Sequence, residues 1–187
     1  MEVSHIKQIL ETTDQKPKND KSLLFSHPLC PYAERARIAA ALKKLDHQQV
    51  DIDLTKKPDW FFSLNPNGTV PTFETPDGRS LYESEIVVEA LDDLHPEQGV
   101  KLLPEDKIDR GIMKCKAKLL TVFISVYHEI AYKGINEERA EKFHKELKKL
   151  NDELEGKKFL TGDNISYLDI MVYPHLERVL WFEDSVF

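Results

Sequence analysis

The strongest constraint on this chain is a change of hydrophobic period close to residue 98. Before it, short apolar runs alternate with helix-forming stretches; after it, every apolar pattern has helical spacing. Ser22–Ser26 is a short apolar run that predicts a buried strand. Ala33 to Leu45 is rich in Ala, Leu, Arg and Lys and predicts a helix, with Pro31 placed where a first turn tolerates it. Gln48–Leu54 alternates, with Val50, Ile52 and Leu54 apolar and Asp51 and Asp53 polar, as a half-exposed strand does. Lys57–Phe62 predicts a short helix opened by a proline, and Asn65–Gly68 is dense in turn residues. Val70–Glu74 and Arg79–Tyr82 form two strands around a Pro76–Asp77–Gly78 turn, Pro71 lying where a strand start accepts proline. Ser84 is a natural N-cap for a helix through Ile86, Val87, Ala90, Leu91 and Leu94. The order is therefore β-α-β followed by β-β-α.

Helices follow. His95–Gly99 closes the first part, and residues 99–106 serve as a linker. Asp109 to Tyr132 predicts one long helix, apolar on more than one side and hence central. Ala140, Phe143, Leu147, Leu150 and Leu154 recur at three and four as one amphipathic stripe. Ser166–Tyr167–Leu168–Asp169 has the shape of a capping box opening a helix to about Leu180. The expected organisation is an N-terminal arm (1–21, with Ile6, Ile9 and Leu10 as a short apolar edge), an α/β domain (22–98), the linker (99–106) and an all-α domain (107–187). The sequence stops soon after Trp181–Phe182, so the helical domain reads as truncated.

Charge and composition narrow the function. With 26 basic and 33 acidic residues the net charge is −7, which argues against a nucleic-acid partner but leaves room for a small anion in a locally positive site. No apolar run approaches the roughly 20 residues of a membrane helix, and no signal-peptide core begins the chain. Two cysteines are too few for a disulfide scaffold, so a cytoplasmic protein with free thiols is expected, without a metal site.

Cys30 carries the chemistry. It lies between a strand and a helix start, where unpaired N–H groups and the helix dipole favour thiolate over thiol. The plain alternative for any one cysteine is a small buried hydrophobe, and that is the expectation for Cys115, in mid-helix without special neighbours. The motif is Cys30–Pro31–Tyr32–Ala33: with alanine in the fourth place no internal disulfide can close, so chemistry at Cys30 must pass through a mixed disulfide resolved by an external thiol.

The chain resembles the omega class of cytosolic glutathione transferases. The resemblance rests on Leu24–Phe25–Ser26, Cys30–Pro31–Tyr32–Ala33–Glu34–Arg35, Lys57–Pro58–Asp59–Trp60–Phe61, Asn65 to Pro71, Tyr82–Glu83–Ser84, Lys101–Leu102–Leu103–Pro104 and Ile165–Asp169, in order and over roughly residues 20 to 180. It implies a thioredoxin-like N-terminal domain followed by a helical bundle, glutathione as co-substrate, and a homodimer pairing the α/β domain of one subunit with the helical domain of the other. It implies that Val70, before a cis Pro71, meets the cysteinyl backbone of glutathione. Ser84 is then placed at the γ-glutamyl carboxylate, Glu83 at the ammonium and Lys57 near the glycyl end, with Tyr32 flanking the thiol where the family often has phenylalanine. A second-substrate pocket between the domains is implied to use Pro31, His175 and Arg178, His175 standing where relatives often carry a large aromatic. The plain alternatives are an N-cap for Ser84, a solvated lysine for Lys57 and an exposed helix histidine for His175. The implied activity is glutathione-dependent thiol transfer and dehydroascorbate reduction, acting on small oxidised or electrophilic substrates and glutathionylated thiols. Two rivals share the fold: a chloride intracellular channel-like protein and a non-catalytic glutathione-binding interaction module.

Overall fold

The structure is a computed structural model that describes residues 15–18 and 20–180. Ile6, Ile9 and Leu10 of the expected arm, and Trp181–Phe182, lie outside the described residues. Of the arm's remainder, Lys16 places its ammonium 2.5 Å from the buried carboxylate of Glu74. Among the described residues, four strands and seven helices fall into two compact units divided between Gly99 and Val100.

The first unit runs β1 (Ser22–Ser26), α1 (Pro31–Leu42), β2 (His47–Asp51), α2 (Asp59–Leu64), β3 (Thr72–Glu74), β4 (Ser80–Tyr82) and α3 (Ser84–Leu94). The sheet order is β2-β1-β3-β4, with β1 parallel to β2 and the other pairs antiparallel. Leu23, Leu24 and Phe25 of β1 are fully buried, which is why that strand reads as an unbroken apolar run rather than an alternating one. Phe25 packs on Trp60 and Phe61 of α2 with ring centroids 5.7 Å away in each case, and Ile52, Leu64 and Val70 complete this core. Each fully buried side chain of this size contributes about 1.5–3 kcal/mol. The fully buried Ala33, Ala36, Ala39 and Ala40 give α1 a small-residue inner face.

Several boundaries differ from expectation for local reasons. Helix α1 stops at Leu42, not Leu45. Lys44 takes a left-handed φ of 52°, and the N–H groups of Lys44 and Leu45 return to the carbonyls of Ala41 and Ala40, a Schellman closure that overrides good helix formers. Strand β2 ends at Asp51 because pairing stops once Ile52 N–H has reached Ser26 O, and the Asp53 carboxylate then collects the Thr55 and Lys56 N–H groups in a turn. β3 and β4 are shorter than expected, opening at Thr72 and Ser80.

The second unit holds α4 (Lys107–Leu120), α5 (Val122–Lys133), α6 (Glu137–Leu154) and α7 (Tyr167–Leu180). The single long helix expected over Asp109–Tyr132 is two helices. At Thr121 the hydroxyl donates to Ala117 O at 2.8 Å, a local bond that competes with helix continuation. Nor is the segment uniformly central. Phe123 and Val126 are fully buried, whereas Ile108, Ile112 and Leu119 on α4 are 72, 61 and 68% exposed. Cys115 shares that exposed face, so the expectation of a buried structural cysteine is corrected. On α6 the stripe buries Phe143 and Leu150, Phe143 lying 6.4 Å from Phe123. Asp169 accepts from the Ser166 N–H and hydroxyl and from Leu160 N–H, so the carboxylate arm of the capping box anchors the start of α7. No described helix is long and apolar enough to cross a membrane.

Candidate functional site

Three local structures of the first unit build one cleft. The first is the β1–α1 junction. Arg37 ties the junction by donating to Ser26 Oγ, His27 O and Pro28 O at 2.7, 2.8 and 3.1 Å, and Cys30 N–H donates to His27 O at 3.1 Å. Cys30 thereby becomes the N-cap of α1, with Pro31 in the first turn. Its Sγ accepts the Ala33 N–H at 3.4 Å, the place where a helix start holds negative charge.

The second is the loop before β3. Asn65 is fully buried; its amide nitrogen donates to Thr69 O, Thr69 Oγ1 and Thr72 Oγ1 at 2.9–3.0 Å, and its oxygen accepts the Asn67 N–H at 3.0 Å. Gly68 adopts a φ of 59°, a conformation that favours glycine, and a Cβ there would sit 2.5 Å from the edge of the Phe62 ring, which would have to shift. The Val70–Pro71 peptide is cis, and Val70 O lies 3.8 Å from the Cys30 Sγ.

The third is the start of α3. Glu83, at a left-handed φ of 71°, occupies the N-cap position, and its side chain makes no capping bond. The expected N-cap, Ser84, is instead the first helical residue, and its hydroxyl accepts from the buried Arg35 Nη1 at 3.1 Å. The cap assignment fails because the turn at Glu83 shifts the helix start by one residue.

Cys30, Tyr32, Lys57, Val70, Pro71, Glu83 and Ser84 all line this cleft of ≈ 340 Å³, together with Leu54, Gly68 and Thr69. Burial pushes the Tyr32 phenol above its ordinary value, against the opposing pull of Arg35, whose guanidinium carbon is 5.1 Å from the ring centroid. Tyr32 therefore stays a neutral hydroxyl across the physiological range. Leu54, Gly68 and Thr69 are lining residues that the sequence reading did not single out. Asn65 and Arg35 were visible only as members of motifs, because a hub residue shows its partners only after folding.

None of the three residues expected at a second-substrate pocket lines this cleft. Pro31 is in the first turn of α1 and is not among the lining residues. His175 and Arg178 belong to α7 in the second unit and are 0 and 5% exposed, so the plain alternative of an exposed His175 is also corrected. The His175 ring lies 6.0 Å from that of His128, and Arg178 Nη1 donates to Pro174 O at 2.6 Å.

Two partly buried histidines carry a pH prediction. Burial holds His128 below the usual histidine range, and it also lowers His27, outweighing the carboxylates of Asp51 and Asp53. A lowered folded-state value means the unfolded chain binds more protons, so stability is full above about pH 6.5 and declines as pH falls through it. Thermal melts between about pH 8 and 5 should show that decline, and His27→Asn with His128→Asn should flatten it. An equal decline in the double variant would remove these histidines from the account.

Residues 24–99 match the family model for the glutathione S-transferase N-terminal domain, and residues 133–184 match that for the C-terminal domain. A glutathione S-transferase omega-1 of Sus scrofa is 35% identical over 165 residues, covering 83% of this chain and 66% of that protein. A probable glutathione transferase omega-2 of Caenorhabditis briggsae is 31% identical over 185 residues, covering 93% of this chain and 71% of that protein. Among solved structures, glutathione transferase Omega 3C of Trametes versicolor superposes with a TM-score of 0.80 at 26% identity, covering 98% of this chain and 76% of that one. The four-stranded mixed sheet followed by a helical unit is the glutathione transferase fold, thioredoxin-like in its first part. The chain belongs to the glutathione transferase family, and within it to the omega class. It spans about two thirds, 66%, of the length of the pig and rat omega-1 relatives.

Proposed function

We propose that this protein is a glutathione-dependent thiol transferase that works through a mixed disulfide on Cys30, with dehydroascorbate-type oxidants as further substrates. The observation that carries the reading is the position of the sulfur. It caps a helix at 3.4 Å from an amide hydrogen donor and lines a cleft that also holds Val70, Glu83 and Ser84. In the first step the Cys30 thiolate attacks the glutathionyl sulfur of a mixed disulfide; the Cys30–glutathione bond forms and the substrate leaves as its thiolate. In the second step the thiolate of free glutathione attacks that glutathionyl sulfur. Oxidised glutathione forms and the Cys30 thiolate is regenerated. With dehydroascorbate the Cys30 thiolate adds to a carbonyl carbon; a first glutathione thiolate then attacks the Cys30 sulfur, the carbon–sulfur bond breaks and ascorbate leaves with the electron pair. A second glutathione resolves the mixed disulfide by the return step above, so that two glutathiones are oxidised for each dehydroascorbate reduced. Ala33 in the fourth motif position leaves no second cysteine to intercept the intermediate.

Glutathione is an anion with one ammonium group, and the cleft offers partners for each end. Val70 supports the cysteinyl backbone, Ser84 the γ-glutamyl carboxylate, Glu83 the ammonium and Lys57 the glycyl carboxylate, while Pro71 and Tyr32 shape the walls around the thiol. After incubation with oxidised glutathione, intact mass is expected to rise by one glutathionyl group, mapped to Cys30 and removed by dithiothreitol. An unmodified Cys30 beside a modified Cys115 would overturn the mechanism.

The assembly that goes with this reading is a homodimer. Ile108, Ile112 and Leu119 recur on one face of α4 at helical spacing and are exposed, a stripe that a second copy would bury. Light scattering is expected to give twice the chain mass, falling to one chain mass in Ile112→Glu. A single chain mass for the unaltered protein at high concentration rejects the dimer.

A further inference from the structure

The cleft has a cation behind its wall. Arg35 is 2% exposed and does not line the cleft, yet it touches a lining residue on each of two helices. Its Nη1 donates to Ser84 Oγ at the start of α3, and its guanidinium carbon lies over the Tyr32 ring, 5.1 Å from the centroid, in the first turn of α1. A guanidinium has donors and no acceptor, so at this contact Ser84 Oγ is the acceptor. A hydroxyl has one proton. With one lone pair taken by Arg35, that proton is not used in this contact and is left for an acceptor in the cleft that Ser84 lines. Ser84 is thereby set as a donor, the polarity a carboxylate requires, and a buried positive charge stands one hydrogen bond behind it. We infer that Arg35 is a positioning residue for anion recognition in this cleft, acting through Ser84 and Tyr32 on the carboxylate of the γ-glutamyl group.

This inference rests on glutathione being the ligand, and the experiment separates the two. Two probes are titrated by calorimetry: glutathione, and γ-aminobutyryl-cysteinylglycine, which is glutathione without the α-carboxylate of its γ-glutamyl group. Wild type should bind glutathione more tightly than the analogue. Arg35→Lys, which keeps the charge and loses the planar fork, and Arg35→Gln, which loses both, should weaken glutathione on the order of tenfold or more, with Gln the worse. Both variants should bind the analogue as wild type does. Ser84→Ala should weaken glutathione as well, and in that background Arg35→Lys should add little, because the route through Ser84 is already gone. A loss shared equally by both probes makes Arg35 a packing residue and overturns the inference, as does additivity of Ser84→Ala with Arg35→Lys. If wild type binds neither probe, the glutathione reading fails first, and that failure is told apart by the absence of any reference affinity. Should Arg35→Gln fail to fold, Arg35→Lys and the Ser84→Ala pair decide the matter.

Discussion

Cys30→Ala is expected to bring glutathione-dependent thiol transfer down to the uncatalysed background, while Cys115→Ala leaves the rate near wild type. The two cysteines differ in position rather than in chemistry. Cys30 caps α1, receives an N–H at 3.4 Å and opens onto the cleft; Cys115 lies on the outer face of α4 in the other unit. Without a sulfur at position 30 the first exchange step has no nucleophile and the second has no mixed disulfide to resolve, and none of the other residues lining the cleft is a cysteine that could replace it. The structural cost of the same change is small, because a sulfur is a weak acceptor and loss of a helix cap costs about 0.5–2 kcal/mol at most. The measurement is steady-state reduction of a glutathionyl mixed disulfide for the three proteins, with thermal melts run beside it. Thiol transfer surviving in folded Cys30→Ala, or lost in Cys115→Ala, would falsify the assignment.

Lys43→Met is expected to destabilise the first unit by about 3–5 kcal/mol, a drop of about 10 °C or more in its melting temperature. Lys43 is fully buried at the end of α1, and its ammonium lies 2.9 Å from the carboxylate of Asp92, itself 4% exposed on α3. An exposed pair would contribute about 0–1 kcal/mol. Here, removing the cation leaves an anion in a site that water does not reach. Replacing both partners, as Lys43→Met with Asp92→Leu, should recover most of the loss, since two matched apolar groups leave no unpaired charge behind. Urea denaturation of the two variants and wild type gives the comparison. A single-variant cost under about 1 kcal/mol would show that Asp92 relaxes to water, and the pair would then be a surface contact in energetic terms.

How much was legible beforehand follows from where each signal resides. The strand and helix order was readable because burial leaves a period in the chain: β1 is an unbroken apolar run, and α6 repeats at three and four. Boundaries were less readable. Lys44 ends α1 and Thr121 divides α4 from α5 through bonds that a helix-forming composition does not reveal. Cys115 and His175 were both misplaced with respect to solvent, for one reason. A residue's own type says little about burial when its helix has more than one apolar side, and only the neighbours packed against that helix select the buried face.

By itself the sequence determined the element order of the first unit, the thiol at a helix start, and the absence of a second cysteine in the motif. These are properties of neighbours along the chain, and local physics suffices for them. Tertiary structure decided which distant residues meet. It brought Val70 O to 3.8 Å from the Cys30 sulfur, forty residues away along the chain, moved Ser84 from cap to first turn, and set Arg35 behind it. Those contacts depend on how β1, β3 and two helices pack around one sheet. A buried guanidinium acquires its partner only when α1 and α3 are held side by side, and no period or local propensity in the sequence encodes that distance.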